Sequence, residues 1–330
     1  MSTNEQVGLY ERCVEVALQF NSPGTIARAL FCLGDAVKTQ GKTDRSLTHY
    51  REAADLFRVV GDLQQTAVAM AQIADISRQR GQTDEALRIY RNECIPAFEH
   101  TDFARLKAVT MGKIADVLQE RCEFDEALQI YRLECIPAFE ALGDVHQKAV
   151  TIGQIANVLQ QRREFDEALQ IYRSECIPVY KRMGDVRSET VTMGKIADIY
   201  FQLGKTDEAL RIRREDCLPV YERLGDVWSK AHTMGKIADI LQQINYADEA
   251  LSIYLMECIP VYEQLDDVRM QFACRWNIGR MLIRKPAPNE FDMKEGIEHL
   301  RWALATAEKH QYAEAAQLRE IVTRLFGGSV

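Results

Sequence analysis

Hydrophobic positions in residues 107–147 follow two helical patterns separated by a short turn. In the first pattern, apolar side chains recur at helical spacing, at Met111, Ile114, Ala115 and Leu118. The second pattern has the same kind of spacing, at Ala127, Leu128, Tyr131, Ala138 and Phe139. Steps of three and four residues place side chains on one face of an α-helix. The segment therefore predicts two antiparallel helices joined at residues 121–124, and no strand pattern occurs in the sequence.

This helix pair recurs along the chain with a period of 41 residues. The tetrapeptide Asp-Glu-Ala-Leu begins at Asp84, Asp125, Asp166, Asp207 and Asp248. The same period separates the glycines Gly112, Gly153, Gly194 and Gly235, and the cysteines of a Cys-Ile/Leu-Pro motif at Cys94, Cys135, Cys176, Cys217 and Cys258. A fixed period of this length is typical of a solenoid, in which each unit covers the apolar face of its neighbour. The repeat predicts an all-α fold arranged as one elongated array.

Turn and cap residues mark where the helices of a repeat begin and end. Asp125 stands where an N-cap residue is expected for the second helix. Gly143 is predicted to take the left-handed conformation that ends this helix, and Asp144 to cap the next one. Pro137 lacks a backbone donor inside the second helix, so we expect a kink there.

The repeat resembles the tetratricopeptide repeat, whose core pattern alternates large, small and aromatic residues at fixed positions. The matching positions are Met111, Ile114, Ala115, Leu118, Phe124, Ala127 and Tyr131. Family repeats usually have 34 residues, and the extra residues here follow the tyrosine; this long form is similar to the repeats of kinesin light chain and of bacterial signalling arrays. The resemblance implies a right-handed superhelical solenoid of about seven repeats plus terminal capping helices.

The pattern divides the chain into five consecutive segments of one solenoid. We expect an N-terminal capping helix in 1–24, a degenerate first repeat in 25–63 and regular repeats in 64–267. A divergent last repeat with a loop insertion at 285–291 is expected in 268–310, and a capping helix and tail in 311–330. Irregular ends are expected because terminal repeats need a polar outer face.

Charge and composition narrow the class of partner. The formal net charge of −8 disfavours sequence-independent binding to nucleic acid or to an anionic membrane. The sequence contains no apolar run of membrane-spanning length, and its first residues lack the pattern of a signal peptide. We therefore expect a cytoplasmic protein. The degenerate end repeats favour a monomer over end-to-end stacking, although the sequence does not decide the oligomeric state. The nine cysteines are interpreted as reduced, with the five repeated ones in the core.

Catalytic chemistry has little support in the sequence, and we expect neither enzymatic activity nor a cofactor. Residues 36–43 partly resemble a phosphate-binding loop, but its first glycine is replaced by Ala36 and no strand precedes it. The six histidines share no position in the repeat and show no metal-ligand spacing.

The resemblance implies that the first helix of each pair lines a concave groove. The groove residues, carried over by position, are Asp75, Arg78, Lys113, Asp116, Gln119, Glu120, Asn157, Gln160, Lys195, Asp198, Gln202, Lys236, Asp239 and Gln242. Asp35, Asp75, Asp116, Asp198 and Asp239 then form an acidic stripe, which Asn157 interrupts. Some family members bind a terminal carboxylate with a lysine and asparagine clamp, but most asparagine positions of that clamp are aspartate here.

Two interpretations of the acidic stripe remain open. In one, Asp116 pairs with Lys113 on its own helix, and the recurrence reflects duplication of a single unit. In the other, the groove binds a segment of a partner that carries Lys or Arg. The repeated glycines either admit a partner's backbone or allow tight helix packing.

The functional prediction is a non-catalytic scaffold or adaptor that binds a protein or peptide. The alternative is a regulatory protein that sequesters an effector, such as a protease, an NTPase or a transcription factor, in a bacterial signalling or defence pathway. An array that reads RNA is a third class, which the acidic charge disfavours.

Overall fold

In the computed structural model, helices account for the regular structure of the described residues, which are 3–99, 103–310, 312 and 314–326. Within this part of the chain there is no strand. The predicted tail at 327–330 lies outside the described residues. Contacts between Cα atoms divide the chain into two compact units, Met1–Val179 and Tyr180–Val330. The all-α prediction is confirmed, and each unit is built from antiparallel helix pairs.

The first unit begins with a single helix that packs on the first pair. Its helices are α1 (Thr3–Gln19), α2 (Pro23–Thr39), α3 (Thr43–Val59), α4 (Leu63–Gln79), α5 (Thr83–Ile89), α6 (Ile95–Ala97), α7 (Ala104–Glu120), α8 (Phe124–Ile130), α9 (Ile136–Ala141), α10 (Val145–Gln161) and α11 (Phe165–Ile171). Helix α12 (Ile177–Met183) contains the boundary between the units.

The second unit contains two pairs of the regular type and a longer C-terminal pair. Its helices are α13 (Val186–Gln202), α14 (Thr206–Arg211), α15 (Leu218–Leu224), α16 (Val227–Gln243), α17 (Ala247–Ile253), α18 (Ile259–Gln264), α19 (Val268–Ile283), α20 (Glu290–Lys309) and α21 (Ala315–Phe326). Asn289 caps α20 in a reciprocal pair of hydrogen bonds with Asp292. Helices α20 and α21 enclose a small core with Phe272 of α19.

A π-helical segment interrupts the second helix of each regular repeat, just before the proline. These segments are Tyr90–Cys94, Tyr131–Cys135, Tyr172–Cys176, Ile212–Cys217 and Tyr254–Cys258. Proline has no N–H, and in an α-helix its ring clashes with the carbonyl four residues earlier. A wider π turn removes that clash and is a common cause of helix bending. Before Pro137, where the sequence predicts a kink, the structure has a π-helical segment.

Two of the three helix-end residues predicted from the sequence are found in the structure. Asp144 accepts a hydrogen bond of 3.0 Å from the Gln147 amide, as predicted. Gly143 has φ of +65°, in the left-handed region. The N-cap expected at Asp125 is wrong, because α8 begins at Phe124 with Glu123 at its cap. Asp125 lies in the first turn, near the positive end of the helix dipole, and accepts a 2.7 Å bond from Arg162.

Asp226 caps α16 and accepts hydrogen bonds from both Ser229 and Arg187. It accepts bonds of 3.0 Å from the Ser229 amide and 2.8 Å from the Ser229 hydroxyl, and Arg187 lies 2.8 Å away. Partial burial raises the pKa of Asp226, but these hydrogen bonds and the Arg187 charge lower it by more. The pKa of Asp226 is therefore below its usual value.

The repeated cysteines are core residues, as predicted. Cys94 and Cys135 are fully buried, and their thiols donate to the carbonyls of Ala67 and Ala108 at 3.4 and 3.6 Å. Burial raises the pKa of both thiols to about 12. All nine cysteines are free thiols.

Candidate functional site

The residues predicted to line the groove lie on the first helices of the regular repeats, a surface we call the first-helix face. In the first unit they belong to α4, α7 and α10, and in the second unit to α13 and α16. Most of them are half-buried, while Glu120 and Gln202 are exposed. Each unit therefore presents a face on which partly accessible polar side chains recur.

A hydrogen bond from a tyrosine of the second helix holds the acidic stripe in place. The hydroxyl of Tyr131 donates to Asp116 Oδ1 at 2.5 Å, and Tyr254 donates to Asp239 at the same distance. Tyr50 bonds to Asp35, Tyr90 to Asp75 and Tyr172 to Asn157 in the same way. These tyrosines are almost completely buried. Each aspartate or asparagine thus joins the two helices of its own repeat.

Polar side chains of the following repeat complete the same network. Lys113 Nζ lies 2.6 Å from Asp75 Oδ2, one repeat earlier. Gln154 donates to Asp116 at 2.9 Å. The proposed pair between Lys113 and Asp116 on one helix is therefore wrong. Asp116 accepts a hydrogen bond from the Tyr131 hydroxyl. Lys113 instead donates to the carboxylate of Asp75 on the preceding first helix.

Arg78 adds a small ionic cluster to the first unit. Its guanidinium lies 3.3 Å from both Asp116 and Glu120. Partial burial raises the pKa of Glu120, while the Arg78 charge opposes that shift. Most carboxylates of the stripe in this unit therefore already have a polar or charged partner, and the stripe is not a row of unpaired charges.

Four glutamines of the predicted site make no such contacts. Among the described residues, no hydrogen bond involves the side-chain amides of Gln119, Gln160, Gln202 and Gln242. An amide both donates and accepts, so each can bind the backbone of another chain. These glutamines are therefore polar groups of the first-helix face that form no hydrogen bond with another described side chain.

The repeated glycines are not required by packing inside the protein. A Cβ added at Gly112 would meet only Cys135 Sγ, at 4.0 Å, and one at Gly153 would meet only Cys176 Sγ, at 3.8 Å. Both distances are ordinary van der Waals contacts, and neither glycine has a positive φ. Ala71 occupies the equivalent position one repeat before Gly112. Tight helix packing therefore does not explain these glycines.

The second unit contains a cavity of about 300 Å³ that includes Lys195 and Asp198 of the predicted site. Arg213 replaces the repeated tyrosine here and is 4% exposed. Its Nη2 donates to Asp198 Oδ1 at 2.5 Å and to the carbonyl of Gly194 at 3.3 Å. Its buried Nε has no hydrogen-bond partner among the described residues.

An aromatic pair forms another part of the cavity wall. Trp228 stacks on His232 with ring centroids 5.1 Å apart and an interplanar angle of 6°. The Trp228 indole nitrogen donates to Asp267 at 2.8 Å, which fixes the ring. Burial lowers the pKa of His232, and the charges of Lys236 and Arg213 lower it further. His232 is therefore neutral near pH 7, and its buried Nδ1 has no partner among the described residues.

Sequence reasoning missed Arg213, Trp228 and His232, although the repeat contains a signal for them. The positions equivalent to Arg213 hold tyrosine, at Tyr90, Tyr131, Tyr172 and Tyr254. The positions equivalent to Trp228 are Arg105, His146, Arg187 and Arg269. The positions equivalent to His232 are Val109, Val150, Val191 and Ala273. The structure brings these three departures from the repeat together around one cavity.

Metal and membrane chemistry find no support in the part of the chain that the structure describes. No group of three or more His, Cys, Asp or Glu side chains is placed there to hold a metal ion. None of the helices searched is both long and apolar enough to cross a membrane.

Comparison with known proteins gives a family match over part of the chain and solved structures with the same fold. Residues 25–92 match the family described as tetratricopeptide repeat. A search of curated proteins gave no significant match. Among solved structures, aspartyl phosphate phosphatase F from Bacillus subtilis is similar with a TM-score of 0.65 at 14% identity, over 88% of this chain and 72% of that one.

Two further structures share the fold. One is a signal transduction ATPase with numerous domains and a tetratricopeptide repeat sensor, from Pyrococcus horikoshii, with a TM-score of 0.60 at 15% identity. That similarity covers 98% of this chain but only 50% of the ATPase chain. The other is a Rap protein complexed with competence and sporulation factor, with a TM-score of 0.55 at 10% identity, over 98% and 97% of the two chains.

Proposed function

We propose that this tetratricopeptide repeat protein is a non-catalytic scaffold whose first-helix face binds a segment of a protein or peptide. The observation that carries the proposal is the set of glycines in the middle of the first helices. Glycine inside a helix destabilises it by about 0.5–1 kcal/mol relative to alanine. Because internal packing does not require Gly112 or Gly153, we infer that the missing side chain leaves room for a partner's backbone.

The polar groups around these glycines support the same conclusion. The amides of Gln119 and Gln160 are available to hydrogen bond with a backbone that lies against the helices. Glu120 is exposed and is paired with Arg78 at 3.3 Å, so a lysine or arginine of the partner would share this carboxylate with Arg78. We therefore propose a partner segment that carries basic residues and binds over α7 and α10.

The test adds one methyl group at each glycine of the first unit. Random peptides displayed on phage are selected on the immobilised full chain, and the enriched sequences are synthesised. Binding is then measured by fluorescence anisotropy with wild type and with Gly112→Ala/Gly153→Ala. The matched control is Gly8→Ala/Gly24→Ala, since both are helical glycines outside the first-helix face whose added Cβ would meet nothing within 4 Å.

We expect peptides rich in Lys or Arg that bind wild type and the control equally. The Gly112→Ala/Gly153→Ala variant should unfold no more readily than wild type but bind at least about tenfold more weakly, as one unfavourable contact of about 1.4 kcal/mol suffices for that factor. Equal binding to both variants, or no selected peptide, would argue against this face as the binding surface.

A regulatory protein is the second candidate, and the cavity in the second unit is the observation that favours it. The structural neighbours include a sensor and a Rap protein in complex with a factor, which is consistent with ligand-dependent control. A cavity next to Lys195 and Asp198 would allow a bound ligand to alter the first-helix face of that unit.

A further inference from the structure

The cavity in the second unit has a positively charged wall although the protein is acidic overall. The Arg213 guanidinium and the Lys195 ammonium both line it, and Asp198 supplies one negative charge. Arg213 is ion-paired with Asp198 at 2.5 Å, and Lys195 also has a contact within the protein. The two cations still exceed the one carboxylate of the wall by one charge, so a small anion that contacts both would gain a favourable electrostatic interaction.

Arg213 has hydrogen-bonding capacity that the protein does not use. Both of its hydrogen bonds come from Nη2, so Nε and Nη1 have no acceptor among the described residues. A guanidinium carries five N–H donors, and the two of Nη2 are bonded to Asp198 and Gly194, so those of Nε and Nη1 are left without an acceptor. A buried donor without an acceptor is unfavourable, and the tyrosine found at the equivalent positions would avoid it. A ligand that accepts these hydrogen bonds would remove that cost.

The rest of the cavity wall suits a flat ring attached to such an anion. The Trp228 and His232 rings lie nearly parallel, and the indole is held by Asp267. Trp228 is still 40% exposed, so its surface is accessible to a ligand. The hydroxyls of Ser229 and Thr233 add polar contacts to the same wall. Cavities that bind small ligands begin at about this volume.

We propose that this cavity binds a small aromatic carboxylate. The carboxylate accepts hydrogen bonds from Arg213 and faces the Lys195 charge, and the ring lies beside Trp228 and His232. This inference concerns a small molecule in the second unit and goes beyond the proposed binding of a protein segment. It does not depend on the glycines of the first unit, so the two proposals can be tested separately.

The experiment uses phenylacetate as the probe and phenylacetamide as its uncharged analogue, with the full chain. Binding is measured by calorimetry and by the ¹H–¹⁵N signals of the tryptophan indoles, with the Trp228 signal assigned through Trp228→Phe. The key variant is Arg213→Tyr, which restores the residue of the other repeats. The control is Arg214→Gln, which removes one positive charge from an exposed arginine that pairs with Glu249 outside the cavity.

We expect phenylacetate to shift the Trp228 signal at millimolar concentration and phenylacetamide to bind at least about tenfold more weakly, since a charge-assisted hydrogen bond is lost. Arg213→Tyr should lose binding, and Arg214→Gln should keep it. Trp228→Ala, which leaves Arg213 untouched, should also weaken binding, so the test does not depend on one variant. Equal binding of the acid and the amide, retention by Arg213→Tyr, or no binding to wild type would overturn the proposal.

A second probe, N-acetylphenylalanine, separates two sources of the same chemistry. Its carboxylate and ring resemble the C-terminus of a peptide. If N-acetylphenylalanine binds more tightly than phenylacetate and Arg213→Tyr abolishes that binding, the site is supported with a peptide C-terminus as its natural ligand. Weaker binding, again lost in Arg213→Tyr, would support it with a free small molecule.

Discussion

The hydrogen bond between Tyr131 and Asp116 offers an internal measurement of what the acidic stripe contributes to stability. Tyr131 is 1% exposed, and its hydroxyl donates to an aspartate. In the next repeat, Tyr172 is equally buried but donates to the neutral Asn157. The two repeats have nearly the same sequence around these tyrosines and belong to the same unit. The change to phenylalanine therefore compares a charged acceptor with a neutral one.

The structure allows the magnitudes to be estimated. A hydrogen bond to a charged group contributes about 1.5–3 kcal/mol, and one between neutral groups about 0.5–1.5 kcal/mol. Asp116 keeps Gln154 at 2.9 Å and Arg78 at 3.3 Å when the hydroxyl is removed, so it is not left without a partner. We expect Tyr131→Phe to lower the free energy of unfolding by about 2 kcal/mol, and Tyr172→Phe by about 1 kcal/mol.

Urea unfolding followed by circular dichroism measures both variants, with amide hydrogen exchange of α8 and α11 as a local readout, because repeat arrays can unfold in parts. A double-mutant cycle with Asp116→Asn isolates the contribution of the charge. The asparagine keeps the acceptor, as Asn157 shows, so the coupling should fall to the value of the neutral pair. An equal or larger loss for Tyr172→Phe would refute the idea that the aspartates stabilise the helix pair through their charge.

Two other changes test single sites. Arg213→Tyr removes a buried donor that has no acceptor and supplies a hydroxyl that can donate to Asp198. The free energy of unfolding should therefore rise by about 1–2 kcal/mol. A lower midpoint of urea unfolding for the variant would contradict this prediction. Asp226→Ala removes the N-cap of α16 and should lower the free energy of unfolding by about 1 kcal/mol at pH 7. Because the folded pKa of Asp226 is depressed, this contribution is present above the unfolded pKa of about 3.9 and is lost as the pH falls through the folded pKa. The melting temperatures of wild type and Asp226→Ala, measured between pH 7 and 3, should therefore approach each other as the pH falls. A difference in melting temperature that stays constant over this range would show that the contribution of Asp226 does not depend on its ionisation.

The sequence was sufficient to predict helix pairs because the information is local and repeated. The spacing of Ile114, Ala115 and Leu118 identifies one buried helical face, and Gly143 with Asp144 marks where one helix ends and the next begins. The sequence does not distinguish two positions for Asp125, since an aspartate is favourable both at the N-cap and in the first turn. Only the helix start at Phe124 distinguishes the two positions.

The partners of the polar side chains could not be obtained from the same pattern. Spacing along one helix suggested that Lys113 pairs with Asp116, but Lys113 bonds to Asp75, which is 38 residues earlier. Such a contact depends on how neighbouring helices pack. Helical periodicity gives only which side chains share a face of one helix, so it cannot predict contacts between helices. The same holds for the π-helical segment at Tyr131–Cys135, for which Pro137 indicates only that the ordinary helix is interrupted.

What the sequence by itself determined is therefore the type of element, the repeat and the buried face, because these follow from side-chain polarity and backbone preference along the chain. The tertiary structure decided which polar groups satisfy one another and which are left over. It shows that Asp116 is part of the internal network, while Arg213, Trp228 and His232 meet around a cavity. Those relations depend on the distances between separate helices, which are set by packing.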